Sequence, residues 1–407
     1  MTHALGNAAP IAPAGDAAVM PTYARYPLTL VRGEGLTVWD DDGKAYLDVA
    51  GALGANPLGH GHPDWKRAVH DQVETLDLTS NLFATRPQAE LAQRLAELLP
   101  IPDARTFFCN SGAEANEAAI KLVRRRGLET RRPAIVALEG SFHGRTVAAL
   151  AATGQPSKRA PFEPLVDWFR FVPPNDLGAL RAEIAAGDVG GVLLEPVLGE
   201  GGVRPLSHEY LRGVREACDA AGALLVADEV QTGLGRCGDW LAISHAGVVP
   251  DVVTLAKGLG GGLPIGACVA RAGLAFGPGE HGSTFGGGPI PCAAALAVLA
   301  VIEDGGLLAA AQELGGRLRN EITRLSPPGL IVEVRGRGLL LGVQLARPLA
   351  HEVVLAMIGE GVLATEAGAD VVRMSPPLIV TADEIDRAVT AFAAALGSVA
   401  AAQGWTP

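Results

Sequence analysis

Short, largely apolar runs, rich in Val, Leu and Ile, recur through the middle of the chain, with helically spaced stretches between them. The pattern predicts strands over 105–109, 134–138, 189–194, 223–227 and 252–256, and helices over 113–126 and 210–221. Uninterrupted apolar runs belong to strands covered on both faces, and strand–helix alternation marks a mostly parallel, helix-covered sheet. Ahead of this region, 28–49 reads as a strand, a hairpin turn at Asp41-Asp42-Gly43 and a further strand. Residues 64–76 and 88–99 have helical spacing, the second with Leu91, Leu95, Leu98 and Leu99 on one face. After Leu307 the character changes to α+β. Helices are expected over 291–303, 308–325, 349–360 and 382–396, and strands over 331–334, 339–344 and 371–374. The expected organisation is a large α/β domain over 60–300 and a small α+β domain over 301–407, with 1–59 as an N-terminal arm and part of the small domain.

A chain of 407 residues is too long for one typical core, in keeping with two domains. With 48% hydrophobic and 19% charged residues it can bury a sizeable core, which excludes global disorder. The formal charge of −11 and the lack of a Lys/Arg stripe disfavour a nucleic-acid partner, and the cluster at Arg124, Arg125 and Arg126 with Arg131 and Arg132 reads as a solvated helix end. The five cysteines are scattered and form no CxxC pair, as expected of reduced thiols in a cytoplasmic protein without a zinc site. The first twenty residues lack the charged start and apolar core of a signal peptide, and the longest apolar run, 292–302, is too short to span a bilayer, so no membrane partner is expected.

Candidate chemistry gathers at strand ends. Lys257 closes the 252–256 strand and opens a run containing Gly258, Gly260, Gly261 and Gly262. A lysine there either meets water or, with a lowered pKa, reacts with carbonyls. Asp228 closes the strand before it, where its carboxylate needs a cationic partner: a salt bridge, a bound metal or a ring nitrogen. Glu195 closes another strand, and Glu200 follows in a glycine-rich loop. Ser111 caps a helix whose first residues, Gly112 and Ala113, let backbone N–H groups approach an anion; an ordinary cap has the same form. The loop GSFHGRT at 140–146 holds Arg145, suited to a carboxylate, with Phe142 or His143 available to stack on a flat ring. GSTFGGG at 282–288 offers a second phosphate contact or a cap. GxxxxGK[ST], GxSxG and HExxH are all absent. Open α/β sheets bind ligands at the carboxyl ends of their strands, so these separate signals point to one place.

The motifs LGHGHP (58–63), NSGAEANEAAIKLVR (110–124), FHGRT (142–146), EPVLGEGGV (195–203), ADEVQTGLGRCG (227–238), PDVVTLAKGLGGGLPIGA (250–267), HGSTFGG (281–287) and RGRGLLLGV (335–343) together resemble those of the class III, fold-type I aminotransferases. Within that class the chain looks most like the acetylornithine aminotransferases. The resemblance implies pyridoxal 5′-phosphate held by Lys257 as a Schiff base, with Lys257 later shuttling a proton. It implies Asp228 on the ring nitrogen, Gln231 near the phenolic oxygen, Phe142 stacked on the ring, Ser111, Gly112 and Ala113 on the phosphate, and Glu195 supporting the site. Thr284 would reach the phosphate across a homodimer interface. Arg145 would bind the substrate α-carboxylate, and Glu200 would pair with Arg373 until 2-oxoglutarate displaces it.

Leu53 stands where ornithine aminotransferases carry a tyrosine. An aliphatic side chain there suits an acylated α-nitrogen and so favours N-acetylornithine as donor, its δ-amino group passing to 2-oxoglutarate in a ping-pong reaction. Succinyl-diaminopimelate, carrier-bound aminoadipate semialdehyde, ornithine and 4-aminobutyrate are the rival substrates, and a regulatory homologue without activity is the rival outside enzymes. The chain departs from the family pattern at Leu198, Gly288 and Pro291; the helix start after Thr284 is expected to survive, because proline is tolerated in a first turn.

Overall fold

The computed structural model describes residues 18–325 and 329–405; of the N-terminal stretch read against a signal peptide, 1–17 lie outside the described residues. The N-terminal strands are β1 (Leu30–Glu34), β2 (Thr37–Asp40) and β3 (Ala45–Asp48). They are followed by β4 (Ala104–Cys109), β5 (Ala134–Leu138), β6 (Phe169–Val172), β7 (Val189–Leu194), the short pair β8 (Val197–Leu198) and β9 (Arg204–Pro205), then β10 (Leu224–Asp228), β11 (Val252–Leu255) and β12 (Gly266–Arg271). The C-terminal region adds β13 (Ile331–Arg337), β14 (Leu340–Leu345), β15 (Val362–Leu363), β16 (Thr365–Glu366) and β17 (Val371–Met374).

Seven strands form the central sheet in the order β4-β12-β11-β10-β7-β5-β6. The sheet is mostly parallel, as expected; β12 alone runs antiparallel to both its neighbours. Neither β6 nor β12 was predicted. In β12 two small residues open the run, and its backbone must pass close to the site: a Cβ on Gly266 would lie 2.4 Å from the Ser111 carbonyl oxygen. Parallel register aligns Ala227 with Leu194 and Asp228 with Thr254, so β7, β10 and β11 end along one edge. That alignment brings Glu195, Asp228 and Lys257 together.

The helix Gly112–Thr130 covers one face of this sheet with Ala115, Ala118, Ala119, Ile120, Leu122 and Val123 buried. Each larger side chain gains about 1.5–3 kcal/mol from burial, while the alanines and Gly191, whose added Cβ would meet Val123 Cγ1 at 2.7 Å, permit close approach. The other face is covered by helices that include His208–Ala221, which buries Tyr210, Leu211, Val214 and Cys218.

A second core unites Leu36, Leu47, Val49 and Leu58 with residues from Val298 onward. Its sheets have the orders β1-β2-β3-β15 and β13-β14-β17-β16, and β15 pairs parallel with β3, tying the N-terminal strands to the C-terminal region. The last helix, Ala382–Ala402, starts on a capping box between Thr381 and Glu384 and packs Ile385, Val389, Phe392 and Leu396 into this core. It is long and apolar enough to cross a membrane by length and composition, but half of it is buried inside the fold. All five cysteines are free and buried. Of the arginine cluster read as a solvated helix end, Arg126 is exposed as expected, whereas Arg124 and Arg125 are partly buried and held. Arg124 donates to Pro133 O at 2.6 Å and stacks over Trp168, and Arg125 pairs with Glu280.

Candidate active site

Lys257 follows directly on β11. Ala256 breaks the strand, and Lys257 itself sits at φ 41°, in the left-handed region that costs a side-chain-bearing residue about 1–2 kcal/mol. Backbone strain of this kind is retained where it aims a side chain. Burial pushes the Lys257 amine down to about 8, against the opposing pull of Glu200. Roughly a tenth of the amine is therefore unprotonated at pH 7, far more than for an ordinary lysine, and that fraction can act as nucleophile and base.

Asp228, at the end of β10, is held from three sides. Asn116 Nδ2 donates to its Oδ2 at 2.7 Å, His143 Nδ1 lies 2.7 Å from the same oxygen, and Val230 N donates to Oδ1 at 3.1 Å. Asn116 also donates to His143 O at 2.7 Å and accepts from Thr254 Oγ1 at 2.8 Å, so the amide is satisfied. His143 is thus turned inward against Asp228 with Nε2 unpaired, while Phe142, the other aromatic side chain of this loop, is partly buried. Sequence reasoning gave Asn116 no role. Its signal was a poor helix former on the buried face of a helix.

Glu195 is buried and accepts from Phe142 N at 2.8 Å and Gly199 N at 3.1 Å. Burial raises its carboxyl to about 7, opposed by His143 and by those backbone donors. Gln231 is buried close by; its Nε2 donates to Leu53 O at 3.5 Å, and its Oε1 has no partner. Gly199 makes room for it, since a Cβ there would sit 1.7 Å from Gln231 Oε1. Leu53 lies in a left-handed turn with Ala52, φ 60° and 50°. Asp48 and Ser375 pin that turn: Gly51 N donates to Asp48 Oδ1 at 2.9 Å, and Ser375 Oγ donates to Ala50 O at 2.7 Å.

Ser111 caps the helix Gly112–Thr130, accepting from Glu114 N at 3.2 Å. Gly112 packs so closely on Val230 that a Cβ would meet Val230 Cγ1 at 2.7 Å, setting this helix N-terminus against the Asp228 loop. The 282–288 loop docks beside it, with Asn110 Nδ2 donating to Ser283 Oγ at 3.3 Å. Thr284 is exposed and lines a groove of about 1160 Å³ with Asn81, Leu82 and Gln88. Gly288 caps the next helix, Pro289–Asp304; this helix starts two residues earlier than predicted, with Pro289 and Pro291 both in its first turn. Leu198 is buried in the main core, so that departure from the family pattern contributes packing.

Arg373, on β17, is buried and pairs with Glu200 through Nη1 at 2.5 Å. Its Nε donates to Thr365 Oγ1 at 3.2 Å, and Nη2 to Glu366 O at 3.4 Å. Burial pushes the Glu200 carboxyl up, but attraction to Arg373 and the hydrogen bond with it outweigh that, and the group stays below its usual value. Arg145 is exposed, with its guanidinium 5.6 Å from the Phe142 ring centroid.

The edge of the central sheet therefore carries a lysine of lowered pKa and an anchored carboxylate beside a helix N-terminus, with Arg145 on the adjoining loop and Arg373 reaching the site from the C-terminal sheet. A class-III aminotransferase family model matches residues 19–396. The chain belongs to that family, whose members are transaminases dependent on pyridoxal 5′-phosphate.

Among its relatives is the acetylornithine aminotransferase of Mycolicibacterium smegmatis, 50% identical over 95% of this chain and 97% of that protein. That of Thermosynechococcus vestitus is 48% identical over 95% and 97%. In structure the chain resembles the ornithine aminotransferase of Toxoplasma gondii, with TM-score 0.91 and 32% identity over 96% of this chain and 94% of that one. It also resembles the N-acetylornithine aminotransferase of Stenotrophomonas maltophilia, with TM-score 0.82 and 38% identity over 93% and 98%. The two backbones do not rank the substrates, because relatives with different donors share this fold.

Proposed function

We propose that the protein transfers the δ-amino group of N-acetylornithine to 2-oxoglutarate, giving N-acetylglutamate 5-semialdehyde and glutamate. The observation that carries this reading is Leu53, an aliphatic residue bonded through its carbonyl to Gln231 at the site. It offers no hydroxyl that an acylated α-nitrogen would leave unpaired. The names of the relatives at 48% and 50% identity support the same choice.

Pyridoxal 5′-phosphate, when bound, supplies an aldehyde that takes up the amine and a ring that delocalises the electrons released at the reacting carbon. The residues present fit it: an aldehyde-reactive amine at Lys257, a carboxylate at Asp228 for the ring nitrogen, and the unpaired Gln231 Oε1 near them. Lys257 holds the cofactor and then moves the proton at the δ-carbon of the donor. Asn116 and His143 keep the Asp228 carboxylate fixed. Phe142 covers the ring, Glu195 braces the Phe142 backbone, and Ser111, Gly112 and Ala113 take the phosphate at the helix N-terminus. Arg145 binds the donor α-carboxylate. Glu200 neutralises Arg373 while the donor, which has a single carboxylate, is bound and yields it to the second carboxylate of 2-oxoglutarate.

The working unit in this reading is a cytoplasmic homodimer, each chain having a large unit over 60–300 and a small one built from 1–59 and 301–407. Leu82, Phe83 and Phe285, at 89%, 67% and 60% exposure, form the surface a second copy would cover, with Thr284 completing the partner's phosphate site. The test is a half-reaction panel: the holoenzyme is mixed with N-acetylornithine, ornithine, succinyl-diaminopimelate or 4-aminobutyrate, and loss of the visible cofactor band is followed. N-acetylornithine is expected to react fastest; faster reaction of free ornithine overturns the donor assignment.

A further inference from the structure

Two cations stand against the Phe142 ring. One is Arg145. The other is Lys158, whose Nζ lies 5.0 Å from the ring centroid. Lys158 sits on the short helix Pro156–Arg159. Its ammonium donates to Gln155 Oε1 at 2.6 Å, and Gln155 Nε2 donates to Gly140 O at 3.1 Å. The ammonium is thereby tethered to the loop that carries Phe142 and Arg145.

Lys158 is half-buried, and burial holds its pKa below the ordinary lysine value; Glu200 and Glu195 pull the other way, and Arg145 and Arg373 push with burial. The ammonium thus lies within electrostatic reach of every charged group assigned to substrate binding. The charges around it are already satisfied. Glu200 has Arg373, Glu195 has two backbone N–H groups, and Asp228 has Asn116 and His143. Among the described residues Lys158 forms no ion pair, and neither does Arg145. A half-buried ammonium without a counter-charge is held at a cost, which an anionic ligand removes.

We infer that Lys158 is a second contact for a substrate carboxylate, acting beside Arg145 at the Phe142 loop. The inference rests on the proposed dicarboxylate half-reaction. With Arg373 taking one carboxylate of the acceptor, Lys158 and Arg145 share the other, and the same pair receives the single α-carboxylate of the donor. A merely structural Lys158 would support the Phe142 ring as a cation on its face and nothing more.

The test uses glutarate, an unreactive dicarboxylate of the acceptor's length, titrated calorimetrically into the holoenzyme at low and high ionic strength. Lys158→Met is expected to weaken glutarate about tenfold and to flatten the salt dependence of its Kd, since a partly screened charge contact has been removed. Lys158→Arg keeps the charge and restores most of the affinity and the salt slope. Equal Kd values and equal salt slopes for wild type and Lys158→Met overturn the contact, even with Lys158→Met melting like wild type. Wild-type holoenzyme that binds no glutarate overturns the dicarboxylate reading of the site, and the inference with it.

Discussion

Replacing Glu200 by Gln separates the two substrates of the reaction. The change keeps the shape of the side chain and an oxygen facing Arg373, but removes the charge. In the native pair Arg373 is 2% exposed and Glu200 25%, so the ion pair is shielded from solvent mainly on the arginine side. The amide still accepts from the charged guanidinium, so the loss is confined to the charge–charge attraction, on the order of 1 kcal/mol for a pair open to solvent on the carboxylate side. A carboxylate of 2-oxoglutarate or glutamate must break that hold to reach Arg373. Its affinity should therefore rise by up to about tenfold in Glu200→Gln. The donor moves the other way, because an ammonium entering the pocket now meets an uncompensated guanidinium. Single-turnover half-reactions with glutamate and with N-acetylornithine, each across a concentration series, give the two apparent dissociation constants. Opposite shifts are expected. Equal weakening for both substrates, or none for either, would show that the Glu200–Arg373 pair does not sort them.

Three further outcomes follow from the geometry. With Lys257 near 8, uptake of pyridoxal 5′-phosphate by cofactor-free protein should accelerate from pH 7 and level off above about pH 8.5, and stopped-flow absorbance would reveal an ordinary lysine as acceleration continuing towards pH 10. The raised Glu195 carboxyl favours the folded state while protonated, and this contribution fades as pH climbs from its unfolded value near ~4.3 through its folded value of about 7. Cofactor-free Glu195→Gln should accordingly gain in Tm relative to wild type between pH 5 and pH 8; a difference that stays constant with pH contradicts the burial effect. Leu82→Asp combined with Phe285→Asp should give a monomer in analytical ultracentrifugation and lose turnover, whereas an active monomer would remove Thr284 from the site.

Much of the architecture was legible because it rests on local pattern. Largely apolar strands from Ala134–Leu138 to Val252–Leu255 announced a sheet buried on both faces, and Ser111 announced the helix start that it caps. β12 escaped, since a strand of small residues running against its neighbours has no distinctive periodicity of its own. The charged residues at the strand ends were readable as candidates one at a time, because a Lys or Asp closing an apolar run stands out by itself.

What holds those residues was not readable. Asp228 meets Asn116 across 112 positions and His143 across 85, and Arg373 meets Glu200 across 173. Lys158 reaches Phe142 only because the chain doubles back through Gln155 and Gly140. The sequence by itself determined which elements form and which side chains close them, since propensity, capping and burial act over a few residues. Only the tertiary structure decided that His143 supports Asp228, that Gly199 yields its space to Gln231, and that Lys158 is left without a counter-charge beside the site. Those outcomes depend on parallel register, which carries distant strand ends to a common edge where hydrogen bonds and desolvation act over a few ångströms.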